Sequence, residues 1–184
     1  MSGFLFAFLA TLLISLGARD QLLVAQLSAK QGQRPALLAV AALSCTATCA
    51  AAAWLATIFV TELPTIPARM VFAGLALVLA GVEAVLLGAR KLPQEPTHSL
   101  FAALIVLLAQ QVTDATRFAV LALAMVTAAP APAGIGGAAG GAVALGIAWL
   151  APEIVARPEL SKLRRLAGLF LLAAGLVLVW RGVQ

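Results

Sequence analysis

Two polar clusters interrupt long apolar stretches of this sequence. They are Ser15-Leu16-Gly17-Ala18-Arg19-Asp20-Gln21 and Gln110-Gln111-Val112-Thr113-Asp114-Ala115-Thr116-Arg117. The first lies within an apolar run over about 3–28, and the second lies within one over about 99–127. Charged residues in the middle of such runs are costly to place in lipid. Both clusters therefore predict helices that turn these side chains toward one another and away from lipid.

The composition around the clusters is that of a membrane protein. Of 184 residues, 63% are hydrophobic and 10% are charged, tyrosine is absent, and the mean hydropathy is +1.07. A soluble domain is about half apolar and about a quarter charged. The excess apolar surface must face lipid, which excludes a soluble enzyme, a nucleic-acid-binding domain and a secreted disulfide scaffold. The net charge of +5 lies mostly in short loops, where it reports membrane orientation.

Six apolar segments are long enough to cross a bilayer, since about 20 helical residues span a hydrocarbon core of about 30 Å. Prolines and charged residues separate them. Runs of this length favour helices over a barrel, so the predicted fold is an all-α polytopic membrane protein. Met1–Ala10 carries no basic residue, so we expect a retained helix there rather than a cleaved signal peptide. The predicted spans cover about 3–28, 36–60, 69–89, 99–127, 132–151 and 165–182.

The distribution of basic residues predicts the orientation. Cytoplasmic loops carry an excess of Lys and Arg, and here the excess falls in the first, third and fifth loops. Those loops are expected in the cytoplasm and both termini outside it, in a bacterial inner membrane. The opposite side carries only Arg69 and Arg181. The basic residues of the three loops are Lys30, Arg34, Arg90, Lys91, Arg157, Lys162, Arg164 and Arg165.

The two halves of the chain repeat one hydropathy pattern. A shift of about 96 residues superposes the two polar clusters and places Pro35 beside Pro132. The units are residues 1–98 and 99–184, with three predicted spans each. Because three is odd, the second unit enters the membrane from the opposite face. We therefore predict a 3+3 inverted repeat, with any substrate site near the midplane where the repeats meet.

The charges within the spans require partners. Four unpaired charges at span centres would cost about 10 kcal/mol, at about 2.5–3.5 kcal/mol each. Neighbouring residues of a helix point about 100° apart, so Arg19 and Asp20 pair poorly with each other. We expect pairing across the repeats instead, Arg19 with Asp114 and Arg117 with Asp20. Such pairs either lock the repeats together or line a substrate or proton path.

The first cluster resembles a known signature. Leu16-Gly17-Ala18-Arg19-Asp20-Gln21 is similar to the motif Glu-x-Gly-Asp-Lys/Arg-Ser/Thr of the GDT1 family of membrane cation transporters, which carry it in the first and fourth of six spans. The family layout, two three-helix repeats, covers the whole chain. The resemblance implies exchange of Mn²⁺ or Ca²⁺ for protons, with the motif acids as metal ligands, and it places the chain near amino-acid exporters of the LysE superfamily.

The motif copies are incomplete in this chain. In the first, Ser15 and Ala18 replace the two acids; in the second, Gln111 replaces the Glu and only Asp114 remains. The candidate metal ligands are thus Asp114 and Asp20, with Asp114 the best proton carrier. Two arginines beside two aspartates make a neutral site, while hard divalent cations prefer several anionic oxygens. The predicted pathway residues are Ser15, Arg19, Asp20, Gln21, Gln110, Gln111, Thr113, Asp114, Thr116 and Arg117.

Three functions remain open from the sequence. The first is a secondary transporter like the Mn²⁺ or Ca²⁺ exchangers, with a divergent site; the second is an exporter of a small zwitterionic or anionic solute. The third is a scaffold that has the fold without transport. No nucleophile–base pair or nucleotide loop is visible, so we do not expect an enzyme. The expected partners are the bilayer and the transported ion or solute, with no nucleic acid and no tightly bound cofactor.

Several further residues have simpler interpretations. Cys45 and Cys49 are expected on a small-residue packing face rather than at a soft-metal site. Glycines at 136, 137, 140 and 141 are expected to allow close helix packing within the chain. Glu83 is expected to reach the cytoplasmic interface or to contribute to the mouth of a cavity, and His98 is expected to be solvated in a loop. The run Lys162-Leu163-Arg164-Arg165 is expected to anchor the last span at the cytoplasmic surface.

Overall fold

The structure is a computed structural model, and it describes residues 2–86 and 99–184. Those residues form helices and connections, with no strand among them, so the all-α class is confirmed. In chain order the helices are α1 Ser2–Ser15, α2 Arg19–Gln31, α3 Pro35–Glu62, α4 Ile66–Leu86, α5 Leu100–Val112, α6 Ala115–Thr127, α7 Pro130–Leu150, α8 Pro152–Val155 and α9 Pro158–Val183.

Four of these helices are long and apolar enough to cross a membrane by themselves: α3, α4, α7 and α9. Two further spans are possible if α1 with α2 and α5 with α6 each count as one. Large apolar side chains are exposed around the perimeter, including Phe101 at 71% and Phe170 at 73%. This exposure is what a lipid solvent requires, and the fold is that of a multi-pass membrane protein.

The two longest predicted spans are broken rather than continuous. The axes of α1 and α2 differ by 61°, and those of α5 and α6 differ by 53°. At the first break Gly17 has a φ of +74°, which favours glycine, and Ala18 is extended. At the second break Asp114 is extended, and its carboxylate accepts a hydrogen bond from the Thr116 backbone N–H. Asp114 therefore starts a new helix as its N-cap, which an uninterrupted span does not allow.

The last span also begins earlier than predicted. Helix α9 starts at Pro158, seven residues before the expected boundary at 165, so the run from Lys162 to Arg165 is helical. Arg164 is 4% exposed, whereas Arg165 is exposed. The predicted surface anchor is therefore wrong for Arg164.

His98, Arg90 and Lys91, which belong to the predicted third loop, lie outside the described residues.

Glycines set the closest helix contacts. On α7, Gly136 and Gly140 pack against the backbone of Phe4 and Phe8 of α1, so the predicted close packing within the chain is confirmed. Cys45 and Cys49 are fully buried, and the Sγ atom of Cys45 fits against Gly141 of α7. The predicted packing face for the thiols is thereby confirmed.

The pair α4 and α9 packs through glycine as well. A Cβ atom at Gly74 would lie 2.6 Å from the carbonyl oxygen of Gly175, and one at Gly81 would lie 2.6 Å from that of Gly168. Backbone therefore meets backbone along the crossing, as small residues allow. This close contact brings the C-terminal part of α4 and the N-terminal part of α9 toward the break between α5 and α6.

Candidate functional site

Four charged side chains from four helices form one buried ion network. Arg19 Nη2 of α2 lies 3.0 Å from Glu83 Oε1 of α4. Glu83 Oε2 accepts a hydrogen bond from Arg164 Nη2 of α9, and the same nitrogen lies 3.0 Å from Asp114 Oδ1 at the start of α6. We call these residues the ion network. It joins α2 and α6, the helices that follow the two breaks, through α4 and α9.

The break between α5 and α6 orients the acidic half of the network. Because Asp114 caps α6, the first backbone N–H groups of that helix are available to acceptors. The N–H of Ala115 donates to Glu83 Oε2 at 3.2 Å, and Thr116 donates both its N–H and its hydroxyl to Asp114 Oδ2. Two carboxylates thus meet at the positive end of one helix dipole, which attracts negative charge.

A second set of side chains links the two breaks directly. Gln111 Nε2 at the end of α5 donates to Asp20 Oδ2 in the first turn of α2, at 3.0 Å. Gln111 Oε1 lies 3.3 Å from the hydroxyl of Thr48, at the middle of α3. That hydroxyl accepts a hydrogen bond from Arg117 Nε at 2.9 Å, and Arg117 Nη1 donates to the hydroxyl of Thr116. We call Asp20, Gln111, Thr48 and Arg117 the polar chain.

The carboxylate oxygens at this centre each have a contact, while several guanidinium nitrogens have no hydrogen-bond partner. Each carboxylate oxygen of Asp20, Glu83 and Asp114 contacts a donor or a cation. Glu83 Oε1 lies at ion-pair distance from Arg19, but the two groups do not have the geometry of a hydrogen bond. By contrast, Arg117 Nη2 and the Nε and Nη1 atoms of Arg164 are buried without a hydrogen-bond partner. With three acids and three arginines, the centre is neutral but has an excess of donors.

The predicted pairing across the repeats is wrong in its partners. Arg19 pairs with Glu83 rather than with Asp114, and Asp114 pairs with Arg164. Arg117 donates to two threonine hydroxyls rather than to Asp20. The predicted burial is nevertheless confirmed, since Asp20, Asp114 and Arg117 are 4% exposed or less. These three charges are buried as expected, but the ion-pair partners of Arg19 and Asp114 come from helices outside the two clusters.

The remaining predicted pathway residues have different surroundings. Gln21 is fully buried; its Nε2 donates to the carbonyl of Ala144, and its Oε1 accepts from the N–H of Gly17, which supports the first break. Ser15 and Thr116 are buried, and Gln110 is half-buried with an unpartnered Oε1. Thr113 is exposed and lies outside the ion network and the polar chain.

Three residues of this centre are absent from the pathway residues predicted from the sequence: Glu83, Arg164 and Thr48. Glu83 is 3% exposed, so its predicted position at the cytoplasmic interface is wrong. The two charged residues lie near helix ends, where long side chains ordinarily reach the interface. Pro158 was the available signal for Arg164, because proline is favoured at the first position of a helix and so indicates an earlier start of α9.

Metal ligation by Asp114 and Asp20 stays a prediction. Within residues 2–86 and 99–184, no group of three or more His, Cys, Asp or Glu side chains is placed to hold a metal ion. Asp114 is engaged by Arg164 and Thr116, and Asp20 by Gln111. A divalent cation therefore needs these contacts to open before it gains carboxylate ligands.

The fold and the centre together define a class: a multi-pass helical membrane protein with two broken helices and a buried, charge-neutral ion network. No known protein family, curated protein or solved structure matches the chain. The resemblance to the GDT1 family accordingly stays a prediction.

Proposed function

We propose that this protein is a secondary transporter, in a closed conformation here, whose broken spans carry its substrate site. The observation that carries this proposal is the contact between the two breaks, where Asp20 and Gln111 share a hydrogen bond beside the ion network. Breaking a membrane helix exposes backbone polar groups, which is tolerated where the backbone lines a site or cavity. Transporters use such half-helices to hold charged substrates at the midplane.

The order of the helices supports a 3+3 inverted repeat. A bent pair, a helix that begins with proline and a long apolar helix occur in that order as α1/α2, α3 and α4. The same order recurs as α5/α6, α7 and α9, with the short α8 inserted. Both bent pairs break just before a charged turn, at Arg19 and at Asp114. We propose that these units alternate access to the centre by moving against each other.

The transported solute in this proposal is small and carries an acidic group, as an anion or a zwitterion. The carboxylates of the centre are already engaged, whereas buried guanidinium nitrogens of Arg117 and Arg164 lack partners. Such nitrogens gain most from an oxyanion, which binds guanidinium through charge-assisted hydrogen bonds. The competing substrate is Mn²⁺ or Ca²⁺, which the family resemblance implies. Binding of either ion requires the ion network to open.

A scaffold without transport is the second candidate, and one observation favours it. Asp114, Glu83 and Arg164 are each 4% exposed or less, and they bind one another. A permanently sealed centre of this kind locks helices together. The two functions differ in whether the ion network opens.

Uptake into proteoliposomes separates these functions. Purified protein is reconstituted, and the uptake of labelled leucine, labelled hexanoate and Mn²⁺ is measured for the wild type and for Arg164→Gln, Asp114→Asn and Arg165→Gln. The proposal expects uptake of an acid-bearing probe, reduced at least tenfold by Arg164→Gln and unchanged by Arg165→Gln, whose side chain is exposed.

Two results would overturn the proposal. Mn²⁺ uptake that depends on Asp114, without uptake of either acid, would assign a cation exchanger. Absence of uptake for all three probes by correctly folded protein would assign the scaffold. Size-exclusion chromatography of each variant in detergent shows whether it is folded.

A further inference from the structure

A lateral crevice beside the centre is not used by the ion network. It lies between the middle of α3 and the break between α5 and α6, and its volume is about 160 Å³. Thr48 and Arg117 are its polar lining residues, and Leu55, Val112, Phe118 and Leu121 form apolar walls. Val112 is 62% exposed and Leu55 is 39% exposed, which places the mouth at the lipid-facing perimeter.

Arg117 differs from the other central arginines in its partners. Within residues 2–86 and 99–184, no carboxylate oxygen lies within 4.0 Å of it, whereas Arg164 contacts two carboxylates. Arg117 is 4% exposed, and its Nε and Nη1 atoms donate to the hydroxyls of Thr48 and Thr116. Its Nη2 atom is buried without a partner. The guanidinium is thus held firmly by neutral acceptors, with one donor unused.

This arrangement specifies the chemistry of a ligand. The direct partners of this buried cation are neutral, and the carboxylates of Asp114 and Asp20 reach it only through the side chains of Thr116, Thr48 and Gln111. An oxyanion in direct contact with the unpartnered Nη2 atom offsets the remaining cost of its lost hydration. A planar guanidinium recognises a carboxylate with directional hydrogen bonds. The walls are apolar, so the rest of the ligand is apolar too. At about 30 Å³ per water molecule, the crevice has room for about five waters, or for a small organic acid.

We propose that this crevice binds a carboxylate with a small apolar body, with the carboxylate on Arg117 and the body between α3 and α6. The inference rests on the proposed function, because it names where the acidic group of the transported solute is held. Binding is nevertheless measurable without transport. A carboxylate with an apolar body is present both in a small acid from solution and in a fatty acid from the bilayer. The experiment therefore tests one ligand of each kind.

The test is binding of hexanoate to the purified full chain in detergent micelles, measured by saturation-transfer NMR. Hexanamide has a similar shape without the charge, and it serves as the matched ligand. Arg117→Gln removes the charge, and Ala52→Leu fills the crevice while keeping Arg117, since Ala52 also lines it. Arg165→Gln is the control for a lost surface charge. We expect wild type and Arg165→Gln to bind alike, and both crevice variants to bind at least about tenfold more weakly.

Oleate provides the second arm. Binding of hexanoate that depends on Arg117 supports an acid from solution, and Arg117-dependent binding of oleate alone supports an acid from the bilayer. The inference is overturned if neither acid binds, if hexanamide binds as well as hexanoate, or if Arg117→Gln and Ala52→Leu both bind like the wild type.

The outcome is separable from that of the proposed function. Binding at Arg117 without uptake of any acid would refute the transporter and leave the site standing. Uptake of an acid that is unchanged in Arg117→Gln would refute the site and leave the transporter standing.

Discussion

At the scale of single residues, Arg164 and Arg165 show how position outweighs residue type. They are neighbours in α9, yet Arg164 is 4% exposed and binds Glu83 and Asp114, while Arg165 is exposed. A buried charge without a partner is far more costly than a surface charge, because it has lost its hydration. Comparing the same substitution at these two positions therefore measures how much the ion network contributes to the free energy of unfolding.

We predict that Arg164→Gln lowers the free energy of unfolding by about 3–5 kcal/mol, because Glu83 and Asp114 are left as two buried carboxylates with too few cations. Arg165→Gln is expected to change it by less than about 0.5 kcal/mol. Unfolding by SDS in mixed micelles, followed by circular dichroism, measures both. Equal effects for the two variants would contradict the burial difference.

The burial of charges at the centres of the predicted spans was predictable from the sequence, whereas the burial of Glu83 and Arg164 near helix ends and the partners of all these charges were not. The cost of a charge in lipid is local information, so Asp20, Asp114 and Arg117 were correctly expected to be buried. The partner of Asp114 is 50 residues away, and that of Arg19 lies in another helix. Choosing such partners requires the packing of four helices, which a hydropathy pattern does not contain.

At the scale of helices, the two breaks have different causes. Gly17 breaks the first span through a backbone conformation that other residues rarely adopt, with a φ of +74°. Asp114 breaks the second by capping the helix that follows. Gly17 and Asp114 are both visible in the sequence, but glycine and aspartate also occur within continuous helices. The long apolar runs around them therefore led to the prediction of two single, unbroken spans.

Gly17→Ala is expected to destabilise the protein by about 1–2 kcal/mol, the usual cost of a left-handed conformation for an L-residue. Crowding adds to this, because the new Cβ would lie 3.3 Å from the backbone of Leu160. Gly146→Ala is the matched control: it lies inside α7 with nothing within 4 Å, and we expect it to stabilise by about 0.5–1 kcal/mol. Thermal unfolding in detergent measures both, and a neutral Gly17→Ala would contradict a strained break.

The crossing of α4 and α9 gives a prediction about packing alone. In Gly81→Ala the added Cβ would lie 2.6 Å from the carbonyl oxygen of Gly168, so the two helices must separate. Overpacking of this kind costs about 1–3 kcal/mol. The separation also moves Glu83 relative to Arg164, so we expect Gly81→Ala to weaken the ion network without removing a charge. A double-mutant cycle with Arg164→Gln measures this coupling, and strictly additive effects would contradict it.

At the scale of the whole molecule, the sequence predicted the class of fold more reliably than the helix boundaries. Hydropathy is summed over about 20 residues, so single misplaced charges hardly affect the number of apolar segments. The start of α9 depends on one proline, and the bends depend on one or two residues each. Predicting the inverted repeat requires both kinds of information, because the number of spans must be right and each span of the first half must be matched to the right span of the second.

The proposed repeat makes one prediction that does not depend on any substrate. The connection between α3 and α4 corresponds to the segment between α7 and α9. Inversion therefore places exposed Thr65, in the first of these, and exposed Lys162, in the second turn of α9, toward opposite faces of the membrane. The excess of basic residues further predicts that Lys162 faces the cytoplasm. Cys45 and Cys49 are fully buried, so they stay in place as an unlabelled background.

With a membrane-impermeant maleimide on intact bacterial cells, we expect Thr65→Cys to react and Lys162→Cys to react only after the cells are permeabilised. The parent chain is expected to stay unlabelled in both conditions. Reaction of both variants from the same side would rule out the inversion, since an even number of crossings would then separate the two connections. Reaction of Lys162→Cys alone in intact cells would retain the inversion and reverse the orientation, which would mean that the basic loops do not control insertion in this chain.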